Sequence, residues 1–302
     1  MAKVFAPASI GNVGPGFDVL GLCVPDLGDI IEVKLDGSKD LITVSGRDAE
    51  LVPTDPEKNC AYIAAKSLLN KRGITNCIQI HIDRKLPLSG GLGASAASSV
   101  GGALAAAYEA KIEFNEKEIL QAALDGEESV AGRHLDNLAP CLLGGFCIVS
   151  SVDPIETIVI PPPNDLWVAV VTPNIKIRTK DSRQVLSPSL ETHIWTKQMA
   201  KTAALVAAFA LNDRKAMKFG LIDYFAEPAR SSLIPNFDPV KKAALDHGAL
   251  GCSISGAGPT VFAICDDKET AEKVKNQMIK AFEPNDSRGH VSNVNNQGAH
   301  LI

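Results

Sequence analysis

The amino-acid sequence predicts an α+β fold divided into two domains. Strand-like and helix-like segments are mixed, without internal repeats and without the regular strand–helix–strand series of a doubly wound sheet. A length of 302 residues exceeds what one hydrophobic core usually organises. Residues 161–163 are consecutive prolines, which remove three backbone donors and interrupt any regular element. We therefore expect one domain over residues 1–158 and a second over residues 159–302.

Regular elements can be assigned in both halves from the spacing of apolar residues. Segments of strand length, rich in β-branched and apolar residues, are 30–35, 78–82, 144–151, 166–172 and 259–265. Segments with apolar residues at helical spacing are 59–70, 94–107, 118–124, 196–211, 240–246 and 268–282. Asn115 is a predicted N-cap, and Gly73 is a predicted helix stop. Residues 7–21, rich in glycine and proline, are predicted to form an irregular loop.

Charge and composition exclude several classes of protein. A formal net charge of -5 argues against a nucleic-acid-binding surface, which needs clustered Lys and Arg. Residues 94–107 are too short and too rich in Ala, Gly and Ser to span a membrane, and residues 1–7 lack the apolar core of a secretory signal. The seven scattered cysteines include no C-x-x-C pair and indicate reduced thiols. We expect a cytoplasmic protein without a nucleic-acid or membrane partner.

The most informative segment is the glycine-rich loop of residues 86–98, LPLSGGLGASAAS, which opens into a predicted helix. Glycine lets the backbone approach a ligand closely, and a helix start directs free N–H groups at an anion. The loop lacks the Lys-Ser/Thr pair of a Walker loop and the dinucleotide pattern G-x-G-x-x-G. Two interpretations stand: a phosphate site, or a helix start built from small residues for close packing.

This loop resembles the phosphate loop of the GHMP kinase family, P-x-x-x-G-L-G-S-S-A-A, with Ala94 in place of the first serine. The resemblance implies ATP as cofactor and Ser95 as a ligand of Mg²⁺, with one phosphate contact missing at Ala94. The residues that it implies for nucleotide binding are Pro87, Leu88, Ser89, Gly90, Gly91, Leu92, Gly93, Ala94, Ser95, Ala96 and Ala97. It also assigns Asn59 to the adenine, although Asn59 is equally suited to cap the helix that follows.

Two further segments resemble the same family. Residues 7–18, PASIGNVGPGFD, are similar to the signature P-A-S-x-A-N-L-G-P-G-F-D of its homoserine kinase branch, with departures that include Gly11. Residues 251–263, GCSISGAGPTVFA, match the third family motif, although alone they would indicate only a tight turn. The resemblance implies an N-terminal domain like ribosomal protein S5 domain 2, a C-terminal ferredoxin-like α/β sandwich, and a homodimer.

A polar segment, residues 126–140, resembles the part of that branch in which a magnesium-binding glutamate precedes H-x-D-N-x-A-P. The resemblance implies Glu127 as the second Mg²⁺ ligand, with Glu128 as a rival because the spacing to the histidine is short. It places His134 and Asn137 at the substrate. A lone histidine beside carboxylates is otherwise more often structural than functional.

The resemblance also implies how an amino-acid substrate, L-homoserine, is held. Arg183 and Arg230, which sequence alone would place in solvated loops, are assigned to its carboxylate, since a guanidinium makes two parallel hydrogen bonds with such a group. Asp18 is assigned to the ammonium, and Asn12 and Asn137 are assigned to the hydroxyl that receives the phosphoryl group.

The proton acceptor and the substrate leave alternatives open. Asn137 cannot act as a base, so the hydroxyl proton passes either to the phosphate or to a neighbour such as Asp136. Lys85 or Arg84 could reach an ATP phosphate, but charged residues that flank a strand are usually solvated, and both are interpreted so. The alternatives to a homoserine kinase are a GHMP kinase for mevalonate or a sugar, and a non-catalytic ligand-binding protein on the same fold.

Overall fold

The computed structural model describes residues 1–302 and contains eleven strands and ten α-helices. The strands are β1 (Ala2–Gly11), β2 (Leu20–Gly37), β3 (Leu41–Gly46), β4 (Cys77–Arg84), β5 (Phe146–Val152), β6 (Ile155–Ile160), β7 (Trp167–Pro173), β8 (Gly251–Ile254), β9 (Val261–Cys265), β10 (Ser287–Asn293) and β11 (His300–Leu301). The helices are α1 (Cys60–Lys71), α2 (Ala94–Ala110), α3 (Glu116–Glu128), α4 (Leu138–Leu143), α5 (Thr179–Gln184), α6 (Thr192–Leu211), α7 (Arg214–Gly220), α8 (Ala226–Arg230), α9 (Phe237–Asp246) and α10 (Lys268–Phe282). None of these helices combines the length and the apolarity that a membrane span requires.

The first sheet has seven strands and supports the N-terminal half of the cavity. Its main path runs β11-β1-β2-β4-β3, and β5 joins β2 on one side and β6 on the other. β3 and β4 run parallel, whereas β1 and β2 form a long antiparallel pair from Ala2 opposite Val33 to Gly11 opposite Gly21. The loop between β1 and β2 therefore spans only residues 12–19. The predicted irregular loop over 7–21 was wrong at both ends, because residues 7–11 and 20–21 are paired strand.

Helix α2 is the packed centre of the N-terminal domain. Its side chains are small, and almost all of them are buried. A Cβ at Gly102 would collide with the backbone of Ala61 in α1, and a Cβ at Gly101 would collide with Ile31 in β2. Small residues therefore let α2 lie close to both neighbours, which fixes the loop that precedes it. The predicted closely packed helix over 94–107 is confirmed.

The second sheet is antiparallel, with the order β10-β7-β9-β8. Along the chain its elements follow as strand, helices, strand, strand, helix, strand, which is the ferredoxin-like arrangement. Helices α9 and α10 bury a separate cluster of 17 apolar residues against it. The predicted α+β class and the ferredoxin-like second domain are confirmed.

The two sheets are joined by a shared core and by the chain itself. A cluster of 56 buried apolar residues extends from the first sheet to Val168 and Phe262 in the second, and the rings of Phe146 and Phe209 stack at 4.0 Å. The predicted boundary after residue 158 falls inside β6, which continues to Ile160 before the prolines. The last strand, β11, returns to pair with β1 in the first sheet.

Candidate active site

A cavity of about 430 Å³ lies between the two domains. Its walls are the β1–β2 loop, the glycine loop with the start of α2, residues 127–137, helices α5 and α8, and residues 256–258. The predicted segments from both halves of the chain therefore meet around one space. Such a cleft between domains is a preferred place for a small-molecule site.

The glycine loop presents backbone rather than side chains to the cavity. Gly93 caps α2 in the left-handed conformation, φ 65°, and no side chain satisfies the first free N–H groups of the helix. A Cβ on Gly93 would collide with Ser9 Oγ, and a Cβ on Gly91 would lie 2.5 Å from the Ser255 carbonyl. Glycine is required at these positions both by backbone conformation and by contact. The free N–H groups form an anion site at the cavity wall.

The third motif stabilises this loop from the other domain. Ser255 Oγ donates to the Gly91 carbonyl at 2.5 Å, and Thr260 Oγ1 donates to the Gly90 carbonyl at 2.5 Å. The Gly256 N–H donates to the Gly11 carbonyl at 3.1 Å, at the end of β1. Residues 255–260 therefore hold the loops of the first domain in place, which is more than the tight turn that this sequence alone indicates.

Ser95 and Glu127 form a polar pair beside the glycine loop. Ser95 Oγ donates to Glu127 Oε1 at 2.8 Å, and Glu127 Oε2 is buried without a partner. Burial raises the pKa of Glu127 to about 7, and the nearby Asp136 contributes in the same direction, against the hydrogen bond from Ser95. Glu128 instead points outward, pairs with Arg133 at 2.8 Å and is 52% exposed. The geometry therefore favours Glu127 over Glu128 as the carboxylate of this site.

Asp136 and Asn137 line the cavity and are bonded to β1 and to the loop that follows it. Asn137 Oδ1 accepts from Ser9 Oγ at 3.0 Å, and Asp136 Oδ2 accepts the backbone N–H of Asn12 at 3.2 Å. Burial raises the pKa of Asp136 to about 7, and the charge of Asp18 adds to this effect while Arg183 opposes it. Asp136 is thus a buried carboxyl that can change protonation state near neutral pH.

Asn12 supports the loop that contains it. Its side-chain Nδ2 donates to the Gly256 carbonyl at 3.1 Å, and its Oδ1 accepts the backbone N–H of Asp18 at 3.1 Å. Its backbone is left-handed, φ 66°, which asparagine tolerates better than most residues. The side chain lines the cavity, but both of its polar ends are engaged by backbone. Its predicted role at the substrate hydroxyl stays a prediction.

Three titratable residues, Asp18, His134 and Arg183, meet in the part of the cavity away from Ser95 and Glu127. Arg183 donates to Asp18 through both terminal nitrogens, with Nη2 at 2.6 Å from Oδ1 and Nη1 at 3.1 Å from Oδ2. His134 Nδ1 lies 3.5 Å from the same Asp18 Oδ2. Burial lowers the pKa of His134, the charge of Asp18 opposes this shift, and that of Arg183 adds to it. Arg183, predicted to bind the substrate carboxylate, and Asp18, predicted to bind its ammonium group, are therefore paired with each other.

Arg230 is held more firmly than Arg183. It is only 3% exposed, and it donates from Nε to the Ser182 carbonyl at 3.1 Å and from Nη1 to the Gly256 carbonyl at 2.8 Å. Burial lowers its pKa to about 10, with the charge of Arg183 as the next cause. Both arginines lie on short helices, α5 and α8, and line the cavity, whereas an arginine in a loop of this composition is usually solvated.

Phe17, which the sequence did not single out, lies between these two arginines and lines the cavity. The guanidinium carbon of Arg183 is 5.1 Å from the ring centroid, and that of Arg230 is 5.3 Å from it. Phe225 packs its ring edge-on against Phe17 at 5.0 Å. An aromatic face attracts cations, so Phe17 helps to hold two like charges near each other.

The remaining predicted nucleotide contacts divide into two groups. Residues 88–91 and 93–95 line the cavity, whereas the side chains of Pro87, Leu92, Ala96 and Ala97 are buried away from it and do not line it. In a loop that leads into a helix only one face meets the cavity, and the assignment of these four residues to the nucleotide stays a prediction. Asn59 lines the cavity, and it caps α1 by accepting the Tyr62 N–H at 3.1 Å while Nδ2 donates to the Pro53 carbonyl at 2.7 Å.

Arg84 lines the cavity, although the sequence favoured a solvated position for it over a contact with phosphate. The interpretation of it as solvated was wrong: it is 2% exposed and lines the cavity, with Nη2 donating to Ser98 Oγ at 2.8 Å. Its Nε lies 3.8 Å from Asp29, which is also buried. A signal was available, because residue 84 continues the alternation in which every second residue of β4 is buried. Lys85, by contrast, is exposed as expected.

Comparison with known proteins finds two family models, both on the cavity-forming parts of the chain. "GHMP kinases N terminal domain" matches residues 59–145, and "GHMP kinases C terminal" matches residues 204–284. The homoserine kinase of Chlorobium phaeovibrioides is 40% identical over 92% of this chain and 91% of the relative. The homoserine kinase of Arabidopsis thaliana is 36% identical over 99% of this chain and 84% of the relative.

Solved structures extend the similarity to the whole fold. The crystal structure of homoserine kinase from Cytophaga hutchinsonii has a TM-score of 0.94 and 40% identity, and the match covers 100% of this chain and 97% of the other. The mevalonate kinase of L. major, with a TM-score of 0.73 and 14% identity over 97% of this chain and 96% of the other, shares the fold. The similarity therefore includes both sheets and the cleft between them.

Proposed function

Because this chain belongs to the GHMP kinase family and its relatives at 36% and 40% identity are homoserine kinases, we propose that it phosphorylates the side-chain hydroxyl of L-homoserine. The donor is ATP, and the product is O-phospho-L-homoserine, an intermediate of threonine biosynthesis. One observation carries the proposal. A single cavity joins a backbone anion site, with the Ser95–Glu127 pair beside it, to two arginines and an aspartate suited to an amino acid.

The glycine-loop end suits the phosphates of ATP together with Mg²⁺. The free N–H groups at the start of α2 face the cavity, and they are fixed before any ligand arrives. Ser95 Oγ and the unpartnered Glu127 Oε2 are hard oxygen donors, as Mg²⁺ prefers, so these two residues would hold the ion. When bound, Mg²⁺ supplies positive charge that neutralises the phosphate oxygens during transfer.

The opposite end suits a zwitterion. Arg183 and Arg230 can bind a carboxylate, and Asp18 can bind an ammonium group within the same small space. Asn137, between the two ends, is the side chain placed to orient a hydroxyl toward the transferred phosphoryl group. A mevalonate or sugar site would have no use for this combination of two arginines and one carboxylate.

Asp136 is the carboxyl best placed to take the proton of the attacking hydroxyl. It is buried next to Asn137, lines the cavity, and has a pKa raised to about 7 by burial, so it can accept a proton near neutral pH. Asn137 itself has no site for that proton. In this proposal positioning and electrostatics provide most of the catalysis, and Asp136 assists at one step.

The test is a coupled assay of ADP release with Mg-ATP and a panel of L-homoserine, L-threonine, L-serine, mevalonate and galactose. We expect the highest kcat/KM with L-homoserine, and a loss of that preference in Arg183→Ala. Arg72→Ala is the matched control, since Arg72 pairs with Glu118 at 2.6 Å on the surface and does not line the cavity. A preference for mevalonate or galactose would overturn the substrate, and nucleotide binding without turnover on any acceptor would overturn the kinase assignment.

A further inference from the structure

The ion pair between Asp18 and Arg183 occupies the place that the proposed substrate needs. Asp18 follows β1 and Arg183 lies on α5, 165 residues further along the chain, yet both terminal nitrogens of Arg183 donate to the two oxygens of Asp18. The side chains are 28% and 31% exposed, so the pair lies at the cavity and not in the core. It is a two-point contact of the kind that a substrate carboxylate would make.

The two arginines differ in what holds them. Every side-chain hydrogen bond of Arg183 goes to Asp18, whereas Arg230 is tied to two backbone carbonyls. Breaking the Asp18 pair therefore frees the hydrogen-bonding edge of Arg183 without disturbing the backbone. The stacking of Arg183 on Phe17 at 5.1 Å would keep it at the cavity after the pair opens.

We propose that the Asp18–Arg183 ion pair stands in for the substrate and is exchanged for it: the incoming carboxylate replaces Asp18 on Arg183, and the incoming ammonium group binds the released Asp18. This inference rests on the proposed function and adds a basis for selecting zwitterions. A zwitterion replaces both halves of the pair, so little electrostatic energy is lost. An acid without an ammonium group breaks the pair and leaves Asp18 facing a second negative charge.

The proposal makes a prediction that a simple ammonium site does not make, since such a site would bind an acid without an ammonium group equally well with Asp or Asn at position 18. The acid 4-hydroxybutyrate is homoserine without its ammonium group, so no group of this ligand replaces Arg183 as the partner of Asp18. Asp18→Asn removes the cost of that unpaired charge. The variant should bind 4-hydroxybutyrate roughly fivefold more tightly than the wild type, as expected for one partly exposed ion pair, while it binds L-homoserine at least about tenfold more weakly.

The measurement is titration calorimetry of wild-type protein, Asp18→Asn and Asp165→Asn with each of the two acids. Asn tolerates the left-handed backbone of residue 18, φ 59°, as Asp does, so the variant should fold. Asp165→Asn is the control, since Asp165 forms an ion pair with Arg214 at 2.6 Å on the surface and neither residue lines the cavity. We expect it to leave the binding of both acids unchanged.

The outcomes separate this inference from the proposed function. If wild type binds L-homoserine but Asp18→Asn binds 4-hydroxybutyrate no better than wild type does, the exchange is wrong and the substrate assignment stands. If wild type does not bind L-homoserine at all, the proposed function fails, and the exchange fails with it. Arg183→Gln provides a second check. Alone it should weaken the binding of both acids, and combined with Asp18→Asn it should remove the tighter binding of 4-hydroxybutyrate that Asp18→Asn gives.

Discussion

The two ends of the cavity are built in different ways. The phosphate end consists of backbone and small side chains, fixed by glycine conformation and by hydrogen bonds from Ser255 and Thr260. The acceptor end consists of long charged side chains that hold one another: Arg183 binds Asp18, and both arginines lie over Phe17. The first end is rigid before a ligand arrives, whereas the second has an internal pair that a ligand can replace.

This difference predicts different sensitivities. A backbone site is insensitive to changes of side-chain charge and sensitive to added volume, because its donors are N–H groups packed against other backbone. A site of paired charges is sensitive to the loss of one partner, since the other is then left uncompensated. Ser95 and Glu127 lie beside the rigid end but act through their side chains. Substitutions at these two residues therefore test whether this part of the cavity is sensitive to charge, as the acceptor end is.

The largest effect is expected from Glu127→Gln, which keeps the shape of the side chain and removes its charge. We expect kcat to fall by about 10² to 10³, as for the loss of one group that stabilises transition-state charge. Steady-state kinetics at saturating Mg-ATP would measure it. Glu128→Gln is the matched control, since Glu128 is exposed and paired with Arg133. Equal losses in the two variants would contradict the choice of Glu127.

Arg230→Ala should have the next largest effect, and it tests the acceptor end. The change removes the Arg230 donor from the Ser182 carbonyl, leaves Asn12 Nδ2 as the side-chain donor to the Gly256 carbonyl, and removes half of the predicted carboxylate site. We expect kcat/KM for L-homoserine to fall by about 10², with the KM for ATP nearly unchanged. Arg230→Lys keeps the charge but cannot make both backbone bonds, so it should recover part of the loss. Full recovery would show that charge alone is needed.

The phosphate end was predictable from the sequence because its residues are nearly consecutive. Glycines and other small residues rarely cluster before a helix for another reason. The third segment was identified because its motif follows the others in the family's order along the chain. Two of the four strands of the second sheet, β7 and β9, were likewise predictable from apolar spacing, whereas β8 and β10 were not. The Asp18–Arg183 pair was not predictable, because no local pattern relates residues 165 apart in the chain.

Arg84 and Asn12 show two other limits. The burial of Arg84 depends on Asp29 and Ser98, which lie on other elements, so a charged residue at the end of β4 looked solvated. The side chain of Asn12 was assigned to the substrate by resemblance, but in the structure it binds the Gly256 carbonyl and the Asp18 N–H. A motif identifies which residues matter more reliably than it identifies what each of their atoms contacts.

Gly91→Ala tests the steric sensitivity of the phosphate end. Gly91 has φ +81°, and an added Cβ would lie 2.5 Å from the Ser255 carbonyl and 2.8 Å from that of Gly258. We expect a loss of about 2–4 kcal/mol in the free energy of unfolding and a rise of about tenfold in the KM for ATP. Gly73→Ala is the control: φ is +69°, but nothing lies within 4 Å, so only the backbone cost of about 1 kcal/mol should remain.

The pH dependence of stability tests the buried carboxyl of Glu127 without any ligand. Burial raises its pKa from 4.5 to about 7, so the folded state binds this proton more tightly than the unfolded state does. The contribution of Glu127 to the free energy of unfolding is therefore present at low pH and is lost as pH rises from 4.5 through about 7.

Metal-free Glu127→Gln should be more stable than wild type at pH 8, by about 1–3 kcal/mol, and should match it near pH 4. Denaturant unfolding with a chelator at both pH values would show it, and equal stabilities at pH 8 would contradict it.

The smallest effect is expected from Phe17→Leu, which keeps an apolar side chain but removes the aromatic face under Arg183 and Arg230. Those guanidiniums lie 5.1 and 5.3 Å from the ring centroid, and without its attraction their mutual repulsion should spread them apart. We expect the KM for L-homoserine to rise about threefold, with kcat and the KM for ATP unchanged, because loss of a partly exposed cation–π contact costs under about 1 kcal/mol.

The control for this change is Phe219→Leu, since Phe219 lies under Lys201 at 5.8 Å on an exposed surface outside the cavity. That variant should leave all three kinetic constants unchanged. A Phe17→Leu variant with wild-type KM for L-homoserine would show that the backbone bonds of Arg230 and the ion pair of Arg183 position the two guanidiniums without help from the ring. The position of the two guanidiniums would then depend on their hydrogen bonds more than on the aromatic ring. In that respect the acceptor end would resemble the phosphate end, whose donors are fixed by backbone contacts.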